Sequence, residues 1–498
     1  MQEYFLVLDC GATSLRSIAI SPQGEILASS SLPNQPRLQH EGCEWLIWDV
    51  EEIWRKICEN TRKVLSENPG KVMGVAITTF GADGAPVYRD GRLAYPVISW
   101  QCGRTAGWAE KIASLVEPRE LFRITGYQII PFNTLLRLLW LRENAPSALD
   151  EAHVFMMLPG ILNFRLTGEM TVDYTSLSTG MLLDVGKRCF AEELLALAGV
   201  SAQFFPRFVE AGEVIGTVSA RGSEETGIPK GVPVVSAGHD TQFAIVGSMA
   251  KKDEVILSSG TWEIAALRIP YYRDSEVAFR TGVLVELDAE KGLWNPQMLM
   301  IAGGVVEWVR RNFFAEIKDR EDVYDLMIEQ AQSIAPGAQG IFVIPAFMPS
   351  GPTKPYGTKG TILGLNLTSS RAQVFRATLE GLSFQLKQAV LALQEAFHFE
   401  PHGIRVVGGG AKNKLWNQIR ADVTGLPVVT TSCEEATVLG ATLFAMVGVG
   451  YAGTLEEAKK NIKITTHLWE PSANQKQYQS LFEQYFKLPL LLQNHYAP

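Results

Sequence analysis

The amino-acid sequence predicts an α/β protein in which two related domains flank a central cleft. Its 498 residues are too many for a single hydrophobic core, so at least two domains are expected. A strand followed by a small-residue turn with Gly and Thr occurs twice, at residues 4–13 and 255–261. The last third of the chain alternates strands with helices, as α/β domains do. We predict one domain over residues 1–245 and the other over residues 246–498.

The first elements of the N-terminal domain follow from the spacing of apolar residues. The apolar run at residues 4–9 predicts a strand that ends in a glycine turn. Apolar residues at helical spacing from about Val50 predict an amphipathic helix, with Asp49 as its N-cap. Asn68, followed by Pro and Gly, ends that helix. The near-continuous apolar run at residues 72–78 predicts a strand in the middle of a sheet.

The C-terminal third shows the same alternation. Apolar runs predict strands at residues 404–407 and 427–430, and helical spacing predicts helices at residues 415–423 and 436–447. This order is typical of parallel strands joined by helices. Two segments rich in Gly, Pro and polar residues predict loops: residues 34–42 and 349–360.

Composition and charge exclude several classes of partner. The chain carries 45 basic and 53 acidic residues, a net charge of −8, so neither nucleic acid nor an anionic membrane is expected to bind. The first apolar run is too short for a signal peptide, and no apolar stretch is long enough to span a bilayer, which favours a cytoplasmic protein. The scattered cysteines form no CxxC pair, so neither a zinc site nor a redox motif is expected. They are Cys10, Cys43, Cys58, Cys102, Cys189 and Cys433.

The turn after the first strand has the composition of a phosphate-binding loop. Asp9-Cys10-Gly11-Ala12-Thr13-Ser14 combines a carboxylate at a strand end with a glycine and hydroxyl groups. Such a loop can hold a hydrated Mg²⁺ ion and a phosphate, because glycine lets backbone N–H groups approach phosphate oxygens closely. Arg16 could add a charge-assisted contact. Ser258-Ser259-Gly260-Thr261 offers a second turn of this type, although either turn alone also fits an ordinary strand connection.

Three consecutive glycines stand between a predicted buried strand and the helix that follows it. Gly408-Gly409-Gly410-Ala411-Lys412-Asn413 gives a flat backbone surface on which a large planar group can lie. It also presents a helix N-terminus, which favours anions. The sequence contains no GxxxxGK[ST] motif, and no GxGxxG motif follows a strand, so Walker-type and Rossmann-type nucleotide sites are disfavoured.

A carboxylate follows another apolar strand, at residues 233–236. Open α/β sheets place catalytic groups at the carboxyl ends of their strands, and Gly238-His239-Asp240-Thr241-Gln242 has that position. Asp240 could therefore act as a general base toward a hydroxyl group. His239 could be its partner, or a histidine with a structural role alone.

Two longer stretches resemble the signatures of one family, the FGGY carbohydrate kinases of the actin/hexokinase superfamily. Residues 132–144 (FNTLLRLLWLREN) are similar to the first signature, with Arg137 where the family usually has Lys. Residues 360–365 (GTILGL) and 373–380 (QVFRATLE) are similar to the second. The resemblance covers nearly the whole chain. It implies two actin-like (ribonuclease H-like) ATPase domains that form an ATP-dependent carbohydrate kinase.

The resemblance also implies roles for individual residues. Asp240 resembles the catalytic base, and Asp9 resembles a carboxylate associated with Mg²⁺; Asp9 and Asp240 would both hold the ion through water. The residues expected to bind ATP and its phosphates are Gly11, Ala12, Thr13, Ser14, Arg16, Gly260, Thr261, Gly409, Gly410 and Asn413. Those expected to contact the sugar are Gly81, Asp83, Trp100, Gln101, Arg104, His239, Asp240 and Gln242.

Three stretches of sequence indicate which sugar is the expected substrate. Residues 78–85 (TTFGADGA), 236–244 (SAGHDTQFA) and 257–264 (LSSGTWEI) most resemble family members that phosphorylate L-fuculose at its 1-hydroxyl, giving L-fuculose 1-phosphate and ADP. Family members that act on L-rhamnulose share the His-Asp-Thr core of the second stretch and are the alternative, along with other ketose kinases. Glycerol kinases are disfavoured, because Gly81-Ala82-Asp83 stands where they usually have an Arg-Glu pair.

Two other function classes are compatible with the phosphate-binding turns. An actin-like switch would hydrolyse ATP to drive assembly or partner binding, but it would not need the segment from Trp100 to Arg104. A catalytically inactive sugar sensor would not need both Asp9 and Asp240. The expected partners are therefore a small-molecule ketose and ATP, with Mg²⁺ as cofactor, and a homo-oligomer is compatible with the sequence.

Overall fold

Two large mixed β-sheets organise the chain, and the computed structural model describes residues 2–496. The strands are β1 (Glu3–Cys10), β2 (Ser14–Ile20), β3 (Ile26–Pro33), β4 (Arg37–Leu38), β5 (Leu46–Trp48), β6 (Lys71–Thr79), β7 (Gly84–Val87), β8 (Val97–Ile98), β9 (Val154–Met157), β10 (Thr171–Asp173), β11 (Leu183–Asp184), β12 (Cys189–Phe190), β13 (Arg207–Val209), β14 (Val214–Thr217), β15 (Pro233–Val235), β16 (Glu254–Ser259), β17 (Trp262–Ala266), β18 (Leu284–Leu287), β19 (Trp294–Ile301), β20 (Phe342–Ile344), β21 (Thr361–Leu363), β22 (Gly403–Val407), β23 (Val428–Thr431) and β24 (Thr466–Trp469).

Helices connect and cover these strands. They are α1 (Val50–Glu67), α2 (Ala106–Leu115), α3 (Pro118–Thr125), α4 (Thr134–Asn144), α5 (Pro146–Asp150), α6 (Leu158–Thr167), α7 (Tyr174–Thr179), α8 (Glu192–Leu197), α9 (Ala220–Thr226), α10 (Asp240–Gly247), α11 (Glu276–Thr281), α12 (Gly303–Phe313), α13 (Val323–Gln332), α14 (Arg371–Phe397), α15 (Lys414–Thr424), α16 (Ala436–Gly448), α17 (Leu455–Lys460) and α18 (Gln475–Tyr496). Short 3₁₀ turns add Gly103–Thr105, Ala202–Phe204, Ala338–Gly340, Gly351–Tyr356 and Gly409–Lys412. Within residues 2–496, none of the helices has the length and apolar character needed to cross a membrane.

The two sheets repeat one strand arrangement. The first has the order β14-β15-β6-β1-β2-β3, and the second has the order β18-β19-β17-β16-β22-β23-β24. Each sheet contains three consecutive antiparallel strands, β3-β2-β1 and β19-β17-β16, and the second sheet adds β18 antiparallel to β19 at its edge. Two parallel strands follow, and an antiparallel strand, β14 or β24, closes that edge. The predicted α/β architecture of two related units is thereby confirmed.

Most elements predicted from the sequence form where expected. The helix predicted from about Val50 is α1; the Asp49 side chain accepts hydrogen bonds from the N–H groups of Glu51 and Glu52, and the helix ends at Asn68. The predicted loops were wrong in detail, because residues 34–42 contain β4 and residues 349–360 contain a 3₁₀ turn. Strand β4 pairs with β5, a partner that the local composition does not reveal.

The strand β1 is buried on both faces, which fixes the position of its carboxyl end. Leu6 and Leu8 pack in one cluster with the apolar face of α1. Phe5 and Val7, on the opposite face, pack in another cluster with residues of α10 and α16. Asp9, at the end of β1, is therefore held by a strand that cannot shift without opening two hydrophobic clusters.

Helices α10 and α16 cross at backbone contact distance. A Cβ atom added to Gly247 would lie 1.9 Å from the carbonyl oxygen of Ala436, and one added to Gly440 would lie 1.9 Å from that of Phe243. Only glycine permits so close an approach at either position. Because Asp240 is the first residue of α10, this crossing holds the candidate catalytic carboxylate against the C-terminal half of the chain.

We predict that Gly440→Ala destabilises the protein by about 1–3 kcal/mol, because the added methyl group meets a carbonyl oxygen that cannot move alone. The apparent melting temperature should fall by about 1–3 °C, because the unfolding entropy of a chain of this length is about 1 kcal/mol per kelvin. Gly107→Ala is the matched control, since this glycine of α2 has nothing within 4 Å of an added Cβ atom. Equal melting temperatures for the two variants in a thermal scan would contradict the tight crossing.

Candidate active site

The carboxyl ends of three parallel strands of the first sheet, β15, β6 and β1, meet at one edge. The N–H of Thr79 donates a hydrogen bond of 3.0 Å to the carbonyl oxygen of Gly238, and the N–H of Phe80 donates one of 3.2 Å to that of Cys10. Side chains and turns that follow these strands are therefore neighbours. This edge carries Asp9, Gly11, Gly81, His239 and Asp240.

Asp9 is buried and bound to a guanidinium group. Its Oδ2 atom accepts hydrogen bonds from Nη2 (2.6 Å) and Nε (3.1 Å) of Arg16, and its Oδ1 atom accepts one from Thr78 (2.9 Å). Nη1 of Arg16 lies 2.6 Å from Oε2 of Glu435, which immediately precedes α16. Arg16, predicted to contact phosphate, thus bridges a carboxylate of the first sheet and one from the C-terminal half.

The first predicted phosphate turn has a defined backbone. The N–H of Gly11 donates to the carbonyl oxygen of Ser14 (2.9 Å), and the Asn34 side chain donates to the carbonyl oxygen of Gly11 (2.9 Å). A Cβ atom on Gly11 would lie 2.8 Å from the Ser14 carbonyl oxygen, so the turn requires glycine. Thr13 is exposed and Ala12 is half-buried, so this turn faces open space at the end of β1.

The second predicted phosphate turn rests on a helix that the sequence did not single out. The N–H groups of Gly303 and Gly304, at the start of α12, donate to the carbonyl oxygens of Gly260 and Thr261, each at 3.1 Å. A Cβ atom on Gly303 would lie 2.3 Å from the Gly260 oxygen. In the sequence, the Gly303-Gly304 pair is the feature from which this close backbone contact could have been predicted. Gly260 and Thr261 themselves are exposed.

The glycine turn after β22 packs against the second phosphate turn. Gly408 has φ +86°, which favours glycine, and a Cβ atom on Gly410 would lie 2.0 Å from Oγ of Ser259. Asn413 is the N-cap of α15 and accepts a hydrogen bond of 3.0 Å from the N–H of Trp416. A cavity of about 510 Å³ adjoins this turn. Its lining includes Gly408, Gly409, Lys412, Thr430, His467 and Trp469.

A buried ion pair fixes the two turns of the second sheet to each other. Arg420 of α15 and Glu263 of β17 are both buried and form a short salt bridge. The same guanidinium donates to Oγ of Ser259 at 2.8 Å and to the Asn417 side chain at 2.9 Å. A charge pair removed from water must be well hydrogen-bonded, and this pair joins the elements that carry both turns.

Asp240 has the position and the acidity of a general base. Its side chain is 29% exposed, and its Oδ1 atom accepts hydrogen bonds from the N–H (2.6 Å) and the hydroxyl (3.3 Å) of Thr241. Burial raises the pKa of Asp240 to about 6, the charge of His239 opposes this rise, and Asp9 adds to it. The carboxylate is therefore ionised at neutral pH and more basic than an exposed aspartate.

His239 lies between two carboxylates. Its Nε2 atom is 3.5 Å from Oδ1 of Asp240, and its Nδ1 atom is 3.5 Å from Oε2 of Glu286 and 3.0 Å from the hydroxyl of Thr179. Burial lowers the pKa of His239, but the hydrogen bond and charge of Glu286, together with Asp240, raise it overall. A Cβ atom on Gly81 would lie 2.8 Å from the His239 ring, so the two predicted residues are in contact.

Glu286 was missed by the sequence analysis. It lies on β18, the edge strand of the second sheet, and is fully buried. Its carboxylate accepts hydrogen bonds from the Tyr127 hydroxyl (2.7 Å), from Thr179 (3.2 Å) and, at shorter range, from the Gln242 side chain. No local pattern marks this residue, because a single Glu within an apolar strand resembles any solvated strand position.

Asp83 lies behind the predicted sugar side. Its carboxylate is completely buried, with Oδ1 2.5 Å from Nη1 of Arg137. Its Oδ2 atom accepts hydrogen bonds from the Trp48 indole (2.5 Å) and the Trp100 backbone N–H (3.1 Å). Through these hydrogen bonds Asp83 positions the Trp48 ring and the Trp100 backbone. The contact of Asp83 with sugar stays a prediction.

The remaining predicted sugar residues differ in exposure. Trp100 is half-buried and Gln101 is exposed. The guanidinium of Arg104 lies 4.8 Å from the Trp45 ring centroid and 5.1 Å from that of Trp140, and Nη1 donates to Oε1 of Gln39 at 2.9 Å. The structure therefore places the Arg104 guanidinium beside the Trp45 and Trp140 rings, and its contact with sugar stays a prediction.

Known proteins match both halves of the chain. Residues 4–247 match the N-terminal domain of the FGGY family of carbohydrate kinases, and residues 255–449 match its C-terminal domain. The chain belongs to the FGGY family of carbohydrate kinases. It is thus an ATP-dependent sugar kinase, which sets aside the nucleotide-switch and inactive-sensor alternatives.

The chain is also similar over nearly its full length to individual carbohydrate kinases. The chain is 41% identical to the L-fuculokinase of Escherichia coli strain K12 over 93% of its length and 96% of that protein. It is 28% identical to the rhamnulokinase of Bacteroides thetaiotaomicron over 94% of its length and 96% of that protein. The crystal structure of xylulose kinase from Rhodospirillum rubrum has the same fold, with a TM-score of 0.88, 21% identity and 99% of both chains covered.

We predict that Asp83→Asn lowers stability by about 3–5 kcal/mol, because it leaves the Arg137 guanidinium buried without a counter-charge. The apparent melting temperature of this FGGY kinase should fall accordingly. Asp90→Asn is the control, since Asp90 pairs with Arg92 on the surface and its loss should leave the melting temperature unchanged. If both variants have the melting temperature of the wild type, the buried ion pair makes no measurable contribution to stability.

Proposed function

We propose that this kinase transfers the γ-phosphoryl group of ATP to the 1-hydroxyl of L-fuculose and releases L-fuculose 1-phosphate and ADP. The observation that carries this proposal is the 41% identity to an L-fuculokinase over nearly the full length of both proteins, against 28% to a rhamnulokinase. The motifs around Gly81, Asp240 and Thr261, which resemble the L-fuculose branch of the family, favour the same sugar.

The domain assignment remains part of the proposal. Residues 1–245 would form the domain that binds sugar and carries the first phosphate turn, and residues 246–498 would bind the nucleotide. The strands of the first sheet all lie before residue 245, and those of the second all lie after residue 246. Helix α10 spans the proposed boundary, so Asp240 would lie where the two domains join.

ATP would lie along the second sheet, with its phosphates between the two turns. The exposed Thr13 and Thr261 can donate hydroxyl hydrogen bonds to phosphate oxygens, together with N–H groups of their turns. Adenosine would lie at the turn Gly409-Gly410, close to Asn413. The adjoining cavity of about 510 Å³ falls within the range of sizes that small-molecule sites have.

The residues present fit Mg²⁺ held through water. Within residues 2–496 no group of three or more His, Cys, Asp or Glu side chains is arranged to hold a metal ion. Mg²⁺ usually keeps several waters and takes one or two carboxylates together with substrate phosphates. Asp9 and Asp240 supply such a pair, and the charge of Asp9 contributes to the raised pKa of Asp240. Bound there with ATP, the ion would offset the charge of the phosphates.

Asp240 would accept the proton of the sugar hydroxyl as its oxygen attacks the γ-phosphorus. Such transfer depends mostly on placing the two reactants in line and on stabilising charge. The N–H of Thr241 fixes the Asp240 carboxylate, and His239 lies beside it. The sugar would be held by the polar groups of His239 and Gln242 and by the Trp100 ring, since neutral sugars bind through directional hydrogen bonds and an aromatic face.

We predict that Asp240→Asn lowers kcat by about 10²–10⁴ while ketose still binds, because an amide cannot accept the hydroxyl proton. The wild-type kcat/KM should fall below about pH 6, since Asp240 becomes protonated there. The residual activity of the variant should lack this acid limb. A coupled ADP assay from pH 5 to pH 8 measures both, and near-wild-type kcat in the variant would refute the role of Asp240.

A ketose panel tests the substrate. L-Fuculose should exceed L-rhamnulose and D-xylulose in kcat/KM by about tenfold to a hundredfold, because one misplaced hydroxyl leaves a buried polar group unpaired, at about 1–3 kcal/mol. ADP release measured with each sugar at equal enzyme concentration gives the ratios. A higher kcat/KM for L-rhamnulose or D-xylulose would overturn the assignment of L-fuculose as the substrate. The assignment of the protein as a sugar kinase would still hold.

A further inference from the structure

Strand β18 of the second sheet docks against the first half of the chain, beside the proposed sugar site. The N–H of Val285 donates to the carbonyl oxygen of Gly126 at 2.7 Å, and the N–H of Leu287 donates to Oγ of Ser178 at 3.0 Å. A Cβ atom on Gly126 would lie 2.3 Å from the Val285 carbonyl oxygen, so the two backbones touch. Glu286 lies between these two hydrogen-bonded residues, so its side chain contacts residues of the first half of the chain.

Three side chains donate hydrogen bonds to the Glu286 carboxylate, and the His239 ring lies beside it. Tyr127 and Thr179 donate to Oε1, and the Gln242 side chain donates to Oε2. Nδ1 of His239 lies 3.5 Å from the same Oε2 atom. Two of these four groups, His239 and Gln242, are the residues that the proposed function places against the sugar, and Gln242 is as fully buried as Glu286.

The carboxylate decides which way the Gln242 amide points. An ionised carboxylate only accepts hydrogen bonds, so the NH₂ group of Gln242 must face it and the amide oxygen must face away. That oxygen, Oε1, is buried and has no hydrogen-bond partner among the described residues. A buried acceptor without a partner costs about 1–3 kcal/mol, which a ligand hydroxyl would recover.

We propose that Glu286 is a positioning residue of the sugar site: it holds Gln242 and His239 so that Gln242 presents an acceptor to a ketose hydroxyl. The inference rests on the proposed function, because it assumes that the ligand beside Gln242 is a ketose. It adds that the sugar site is built from both halves, since its support comes from the edge strand of the nucleotide-side sheet. Sugar recognition therefore requires β18 to be docked.

Glu286→Gln tests this role. The new amide keeps the shape but sets an NH₂ group against donors, so the Gln242 amide loses its fixed orientation. The KM for L-fuculose should rise about tenfold or more, while the KM for ATP should stay within about twofold. Glu380→Gln is the control for destabilisation alone, because Glu380 is a buried carboxylate of α14 that accepts hydrogen bonds from Tyr478 (2.8 Å) and from its ion-pair partner Arg376 (2.9 Å). It should change neither KM.

A second variant covers the case in which Glu286→Gln fails to fold. Tyr127→Phe removes one donor to Oε1 and introduces no new polar group, so the L-fuculose KM should rise about threefold with the ATP KM unchanged. An unchanged L-fuculose KM in the folded variants, or an equal rise in both KM values, would overturn the role of Glu286. A wild-type protein that phosphorylates no ketose of the panel would instead refute the proposed function.

Discussion

The close crossing of α10 and α16 is the constraint on which the active-site geometry depends. Gly247 and Gly440 let the two helices meet at their backbones, and each helix begins beside a charged site residue. Asp240 opens α10, and Glu435 stands just before α16, bound to Arg16 and through it to Asp9. The first phosphate turn, the candidate base and the start of α16 are thus tied to one packed crossing, whose rigidity follows from the density of the surrounding core.

Buried charges then hold the turns of the second sheet and the segment behind the predicted sugar side. Arg420 and Glu263 join the glycine turn to the second predicted phosphate turn, and Arg137 pairs with Asp83 behind the predicted sugar contacts. Such pairs add little net stability compared with apolar residues of the same size. Their hydrogen bonds are directional, however, and they fix the orientation of the elements that carry the site. This suits a phosphoryl transfer, in which correct placement contributes most of the rate.

The sequence predicted what local patterns encode and missed what tertiary contacts decide. Gly11, Gly408 and Asp49 were found because turns and helix caps have short signatures, and the repeated strand–turn unit led to the two sheets. The burial of Asp83 and the support from Glu286 depend on pairings across more than 40 residues, for which a single sequence holds no signal. The chemistry of the site was inferred from the family resemblance, whereas the buried contacts that support its residues are seen only in the structure.

The path of the chain after residue 435 limits how the protein can be divided. Helix α16 belongs by sequence to the C-terminal half, yet Val438 and Leu439 pack with Phe5 and Val7 of the first sheet, and the N–H of Lys463 donates to the carbonyl oxygen of Gln23. Strand β24 then returns to the second sheet. A fragment that stops near residue 245 would therefore leave one face of β1 open to water. The chain passes between the two packed regions three times, at the proposed boundary and on either side of α16, and a gene split at that boundary would leave apolar faces of both halves exposed.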